Sequence, residues 1–340
     1  MILILGKEGI LHDLFYDVKN LFQNFFTMRG RWQREGDELL IHYSKEAPHA
    51  TNQRKMIVCM LDGRRDHGGL ADRLRGIVST YYVCKKLGYD FRINFVHPFP
   101  LIDYLVPNTY DWRVSQEELC YNIDDAEPMF CGSQATHVEP KFQELWIRKR
   151  CLNAKKQLHV YTNALIFPKS KKYGELFQEL FRPSERLEKV LSQYTEPLKG
   201  GYVTMSLRFI GLLGDFNERD CRYIPEEEQQ QMMDRCVAKI QSIYNRLPHG
   251  KKVLLTSDSV RFLKYASEHL NFVYYIPGDV VHIDFYDGRS DDVNMKLFVD
   301  MFLISRAEKA FLLQTGKMYN SGFPRRAAQA GGVPFKHIRF

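Results

Sequence analysis

The sequence predicts an α/β fold made of two Rossmann-like domains, each a parallel sheet wrapped by helices. Three observations carry this. An apolar run, MIVCML (Met56–Leu61), leads through a glycine-rich turn and a helical pattern into a second β-rich run, FRINFV (Phe91–Val96). That is a βαβ unit, which favours parallel strands with a right-handed crossover. From Tyr202 onward strand-like and helix-like segments alternate, the order of a doubly wound domain. The length, 340 residues, exceeds one ordinary core, so two domains are expected.

In chain order, residues 1–55 mix aromatic and charged residues without a clear period. The first helix shows Leu70, Leu74, Ile77, Val78, Tyr81 and Leu87 on one face and stops at Gly88, after Lys85 and Lys86. Pro98, Pro100 and Pro107 interrupt the next stretch, and residues 97–200 are the least legible. Within them LHVYTNALIF (Leu158–Phe167) reads as a strand and FRPSERLEKVLSQY (Phe181–Tyr194) as a helix capped by Ser184. TEPLKGG (Thr195–Gly201) reads as a linker, giving domains over 1–195 and 196–340. The second half then predicts strands at Tyr202–Phe209, Lys251–Asp258, Phe272–Pro277 and Lys309–Gln314. Its helices are expected at Pro225–Arg246, Ser259–Leu270, Val293–Ala307 and Ser321–Ala330, the last ended by Gly331 and Gly332. Ligands of open α/β sheets bind at the C-terminal ends of the strands, so two such domains suggest a cleft between them.

Hydrophobic residues make up 44% and charged residues 26%, the balance of a globular chain. The net charge of +7 is compatible with a solvated basic surface, an anionic substrate, an anionic membrane surface or nucleic acid. The arginines stand singly or in pairs at strand–helix junctions and not as a stripe interleaved with aromatics, which argues against nucleic acid. Seven cysteines without a CxxC pair suit small core residues in a reducing compartment. The five-residue MILIL run is too short for a signal peptide or membrane anchor, so the expectation is a cytoplasmic protein, at most peripheral to a membrane.

Four clusters carry chemistry. DGRRDHGGLADR (Asp62–Arg73) joins a strand to a helix start, where backbone N–H groups and the helix dipole favour an anion. It is neither a GxxxxGK[ST] nor a GxGxxG loop, which removes support for kinase and dinucleotide readings. SLRF places Arg208 at a strand exit, where a guanidinium can grip a phosphate with two parallel hydrogen bonds. LLTSDS (Leu254–Ser259) offers Ser257 or Asp258 as a helix cap, and Asp258 equally to a base or a ribose. NSGFPRRAA (Asn320–Ala328) sets Arg325 and Arg326 in a first helical turn, a misfit with the dipole that an anion there would relieve. Together these fit a nucleotide diphosphate held between domains.

The same clusters resemble the GDP-fucose-dependent fucosyltransferase superfamily: the core α1,6-, Nod-factor and protein O-fucosyltransferases. The family's GxGNRL loop is matched by GGLADRL, its HxRR by SLRF, its TDD or TDS by TSDS, and its SGFSRxA element by SGFPRRAA. DMFLISRAEKAFLLQT precedes the last, and LFRPSERLEKVL is similar to segments of bacterial members. The resemblance spans about residues 56–90 and 180–330. Ser206 stands for the family's His, Phe209 for its second Arg and Asp72 for its Asn.

The resemblance implies a GT-B fold, two Rossmann-like domains facing across a cleft, with inverting transfer and no metal or other cofactor. GDP-fucose would be the donor and a glycan of a surface polysaccharide or glycoconjugate the acceptor. Arg208 would stabilise the leaving diphosphate. Asp66, Asp72 and Asp215 are unranked candidates for general base, with His67 as an alternative. On the donor side the glycine loop would give Gly68, Gly69 and Arg73, and the strand exit Ser206 and Phe209. The TSDS segment would give Ser257, Asp258 and Ser259, the last helix Ser321, Gly322 and Phe323, and His282 would join them. A non-catalytic nucleotide-sugar or polyanion binder, or a transferase using another sugar nucleotide, remains the alternative.

Overall fold

Met56–Leu61 forms strand β1, buried along its whole length. This is a computed structural model, and the residues it describes are 23–52, 54–132, 139–167, 171–216, 223–283 and 290–340. They pack as two compact units interleaved along the chain. One gathers the described residues of Met1–Met60, Ser79–Asn94 and Arg113–Pro168; the other gathers Leu61–Val78, Phe95–Trp112 and Lys169–Phe340.

In the first unit β1 lies in a four-stranded sheet of order β2-β1-β5-β4, with β2 at Asp90–Phe95, β4 at Ala126–Cys131 and β5 at Gln157–Thr162. Strands β1 and β4 both run parallel to β5, with Met56 and Ala126 opposite Gln157. Helix α1 (23–37) is anchored by the Trp32 indole N–H, which donates to the Gly132 carbonyl at 2.8 Å. Helix α3 (Pro140–Asn153) is anchored by Trp146, whose indole donates to the Phe130 carbonyl at 3.1 Å. Helix α2 (Leu70–Leu87) follows β1 as expected, with Leu70, Leu74, Ile77, Val78 and Tyr81 buried. The expected strand at Leu158–Phe167 is shorter, ending at Thr162.

In the second unit the short strands β3 (Leu105–Pro107) and β6 (Phe181–Pro183) pair antiparallel, and helix α4 spans Lys172–Leu180. The helix expected from Phe181 starts only at Glu185: α5 covers Glu185–Thr195. Pro183 holds the preceding residue out of the helical region, and the Ser184 hydroxyl accepts from the Leu187 N–H as the cap. The main sheet has order β11-β10-β7-β8-β9, with all four pairings parallel. Its strands are β7 (Tyr202–Leu207), β8 (Lys252–Ser257), β9 (Val273–Tyr274), β10 (Lys309–Gln314) and β11 (Phe335–Arg339). Between them run α6 (Glu226–Tyr244), α7 (Val260–His269), α8 (Asp291–Ser305) and α9 (Phe323–Gly331). The apolar core under α6 and α7 includes Met205, Leu255, Cys236, Ile240, Phe262 and Leu313. Gly332 closes α9 at φ 70° in the left-handed region.

Helix α8 begins two residues earlier than expected. Asp291 and Asp292 form its first turn, behind the Ser290 cap, where carboxylates suit the dipole. On its buried face Lys296 Nζ meets Asp300 Oδ2 at 2.7 Å, while Asp300 Oδ1 is buried with no hydrogen-bond partner among the described residues. Burial pushes the Asp300 carboxyl up, against the pull of Lys296. Lys296→Met keeps the volume but leaves a buried carboxyl alone. The expected cost is about 3 kcal/mol or more in denaturant unfolding. The double variant with Asp300→Leu should recover most of it. The six described cysteines are unpaired and buried, as small core residues; Cys221 lies outside the described residues. No described helix is long and apolar enough to cross a membrane.

Candidate functional site

Adjacent parallel strands β10, β7 and β8 end on one rim, and Arg208, Asp258 and the loop ahead of α9 leave from it. The chain lays down β7 first, then builds outward through β8 and β9, and returns to add β10 and β11 on the other side. The order therefore reverses between β7 and β10, the place where open α/β sheets bind ligands.

Arg208 is the first residue after β7. Its side chain is 17% exposed, its Nε lies 3.5 Å from Asp258 Oδ2, and its guanidinium sits 4.5 Å over the Phe216 ring. Its carbonyl accepts the Tyr319 N–H at 2.9 Å, which ties the β7 exit to the loop ahead of α9. Asp258, just past β8, is wholly buried. Its Oδ1 accepts the Phe209 N–H at 2.8 Å and its Oδ2 the Ile210 N–H at 2.7 Å. Ile210 has φ 48°, a left-handed conformation that a β-branched residue adopts only under constraint, at a cost of order 1–3 kcal/mol. The carboxylate of Asp258 supplies that constraint. Burial pushes its pKa up, opposed by Arg208 and by the N–H groups of 209 and 210.

The other residues of the rim build its scaffold. Ser206 Oγ lies 2.7 Å from Thr256 Oγ1, buried between β7 and β8, and the buried Phe209 ring packs against Phe262 at 4.9 Å. Ser257 Oγ accepts the Ser259 N–H at 3.1 Å. Ser259 Oγ caps α7 by accepting from Phe262 N–H and donates to Asp215 Oδ2 at 2.9 Å. Asp215 Oδ2 also accepts the Arg261 N–H at 2.8 Å, so this carboxylate serves the α7 N-terminus. At α9, Ser321 Oγ accepts the Phe323 N–H at 3.3 Å, and Gly322 occupies the cap without a side-chain hydrogen bond.

A second group collects around the glycine loop. Gly68 has φ 81°, and a Cβ there would fall 2.6 Å from Asp72 Oδ2; only glycine fits. Arg73 is buried, donating from Nε to the Gly68 carbonyl at 3.0 Å and from Nη1 to the His97 carbonyl at 2.8 Å, with its guanidinium over Phe95. It holds the loop's shape. Asp72 pairs with Arg75 at 2.8 Å, and a Cβ on Gly69 would reach 3.8 Å from His282 Nε2. Asp66 is exposed, whereas His67 is buried. The two arginines of α9 turn away from each other. Arg325 lies over Phe335, and Arg326 is buried over Tyr173 and donates to Gln329. Burial lowers the Arg326 pKa to about 10, with Tyr173 opposing, Arg75 and Arg325 assisting and Asp72 opposing; it stays a cation at neutral pH.

Sequence reasoning missed Phe216 under Arg208, Tyr173 under Arg326 and the constrained Ile210. No local signal marks them, because each acts through a tertiary contact. Among the described residues no group of three His, Cys, Asp or Glu side chains could hold a metal ion.

No family model and no curated protein matches the chain. Solved structures do. FUT1 of Arabidopsis thaliana, in complex with GDP, superposes with a TM-score of 0.54 at 13% identity, over 94% of this chain and 78% of that one. NodZ α-1,6-fucosyltransferase co-crystallised with GDP gives 0.55 at 14% identity, over 85% and 96%. POFUT1 in complex with GDP gives 0.51 at 16% identity, over 86% and 99%. The chain shares its fold with these three proteins. At these identities the likeness concerns architecture: parallel α/β sheets of the expected GT-B class, traced over most of the chain.

Proposed function

We propose that the chain is an inverting, metal-independent glycosyltransferase that moves fucose from GDP-fucose to a hydroxyl of a glycan. The observation that supports this best is Arg208. It stands at the strand-order reversal of a fold shared with GDP-bound fucosyltransferases, locked by Asp258 and Phe216 and stitched to the α9 loop. In the reaction the acceptor oxygen attacks C1 of the sugar from the face opposite the phosphate. The C1–O bond breaks, GDP leaves with both electrons, and the hydroxyl proton passes to a base. Single displacement inverts the anomeric centre. Charge grows on the β-phosphate as the bond opens. A fixed guanidinium and the Gly322 N–H at the start of α9 can meet it without a divalent cation.

The donor belongs in this reading to 196–340 and the acceptor to 1–195. Asp66 is favoured as general base, because it is exposed while Asp72 is paired with Arg75 and Asp215 is committed to α7. His282, beside Gly69, would border the donor. The acceptor would be an intermediate of surface-glycan assembly, lipid-linked and met in the cytoplasm at an anionic membrane.

The test is thermal melting with GDP, UDP, CMP and their sugars, each with EDTA present. A ligand that binds only the native state raises the midpoint by mass action. GDP and GDP-fucose are expected to do so and the others not. A shift with UDP-sugars alone, or one that needs added manganese, would refute the assignment.

A further inference from the structure

Helix α3 has two unlike faces. Gln143, Trp146, Ile147 and Cys151 are buried against the sheet of the first unit. On the opposite side Lys141, Leu145, Arg148 and Leu152 follow at helical spacing in one exposed line, with Lys149 beside it. Leu145 and Leu152 are each 48% exposed, and among the described residues none of these three cations is ion-paired. Helix α1 lies alongside, with Phe25 stacked on Phe142 and Arg29 over Trp146, and it adds Phe26 at 59% exposure.

Leucines alternating with cations suit a surface that is anionic outside and apolar just beneath. Nucleic acid would use the cations but leave the leucines in water. An apolar protein groove would not repay desolvating three cations. A bilayer accepts both, because the leucines reach the acyl boundary while the cations stay among the headgroups. We propose that the α1–α3 face of the first unit docks the protein on an anionic lipid surface. This inference does not depend on the nucleotide assignment, since no residue of the donor site takes part.

The experiment is co-sedimentation of the full chain with phosphatidylcholine vesicles, with and without phosphatidylserine. Binding is expected only with the anionic lipid and should weaken as salt rises. Lys141→Glu, Arg148→Glu and Lys149→Glu together should lower it by about two orders of magnitude or more, from the contribution of each cation near the surface. Leu145→Ser with Leu152→Ser should weaken it even at low salt, where charge alone would hold. An unchanged melting temperature and unchanged GDP response verify that these variants are folded, and keep this test apart from that of the donor site. No binding to the anionic vesicles, or equal binding by the charge-reversed variant, overturns the proposal. So does a face that instead self-associates, read as a dimer by sedimentation and lost in the leucine variant.

Discussion

Arg208→Ala is expected to lower transfer from GDP-fucose by about two orders of magnitude or more, with donor affinity falling much less. The magnitude is that of removing one preorganised donor aimed at charge that develops in the transition state. Preorganisation is the physical point. Arginine side chains are long and carry rotamer entropy, but this one is held by Asp258 on one side and the Phe216 ring on the other. Binding energy is then not consumed in ordering the cation when the sugar–phosphate bond breaks. Arg208→Lys retains the charge but not the planar fork or the stacking, and should recover only a small part of the rate. Single-turnover measurements separate the steps. A loss confined to KM would make Arg208 a ground-state anchor, and unchanged turnover would remove it from the chemistry.

Much of the second half was legible because its strands are short apolar runs bounded by capped helices. The helix ends shifted by a residue or two: Ser259 caps α7 in place of Ser257 or Asp258, Ser290 caps α8 ahead of the expected start, and Gly332 follows α9 as its C-cap. The first half hid its elements for identifiable reasons. Strand β4 contains Pro128, normally a strand breaker, which it tolerates because β4 is the sheet's edge and pairs only with β5. Helix α3 carries cations and leucines on its exposed side, so its apolar period is blurred. Strand β11 is FKHIR, with no fully buried residue, and is a strand because β10 offers it a parallel ladder. Within the site, the sequence located the turn-forming residues but set the caps early: Ser259, not Ser257 or Asp258, caps α7, and Gly322, not Ser321, takes the cap position of α9. Glycine at 68 follows from local geometry. The burial of Arg73 under the same loop comes from Phe95 and His97, more than twenty positions away.

Asp258 is where position in sequence and position in space give different chemistry, and its substitution is the second large effect expected. As a residue following a strand it reads as a cap or a ligand for base or ribose. In the folded chain both its oxygens accept backbone N–H groups from the loop that carries Arg208. Asp258→Asn is nearly isosteric, but an amide has only one acceptor oxygen. Whichever way it is turned, either the Phe209 or the Ile210 N–H faces a donor, and a buried unsatisfied group costs about 1–3 kcal/mol. With the constraint gone, Ile210 has reason to leave its left-handed conformation and carry Arg208 with it. The expected outcome is a kcat loss approaching that of Arg208→Ala, with little further loss when both are changed, because the two act as one unit. A second readout is pH. The native carboxyl is raised above its unfolded value, so between the two the native state binds more protons and stability falls as pH rises through that window. That slope should vanish in Asp258→Asn. A variant that instead weakens only the affinity for GDP, keeps kcat and retains the slope would return Asp258 to the role of a ligand.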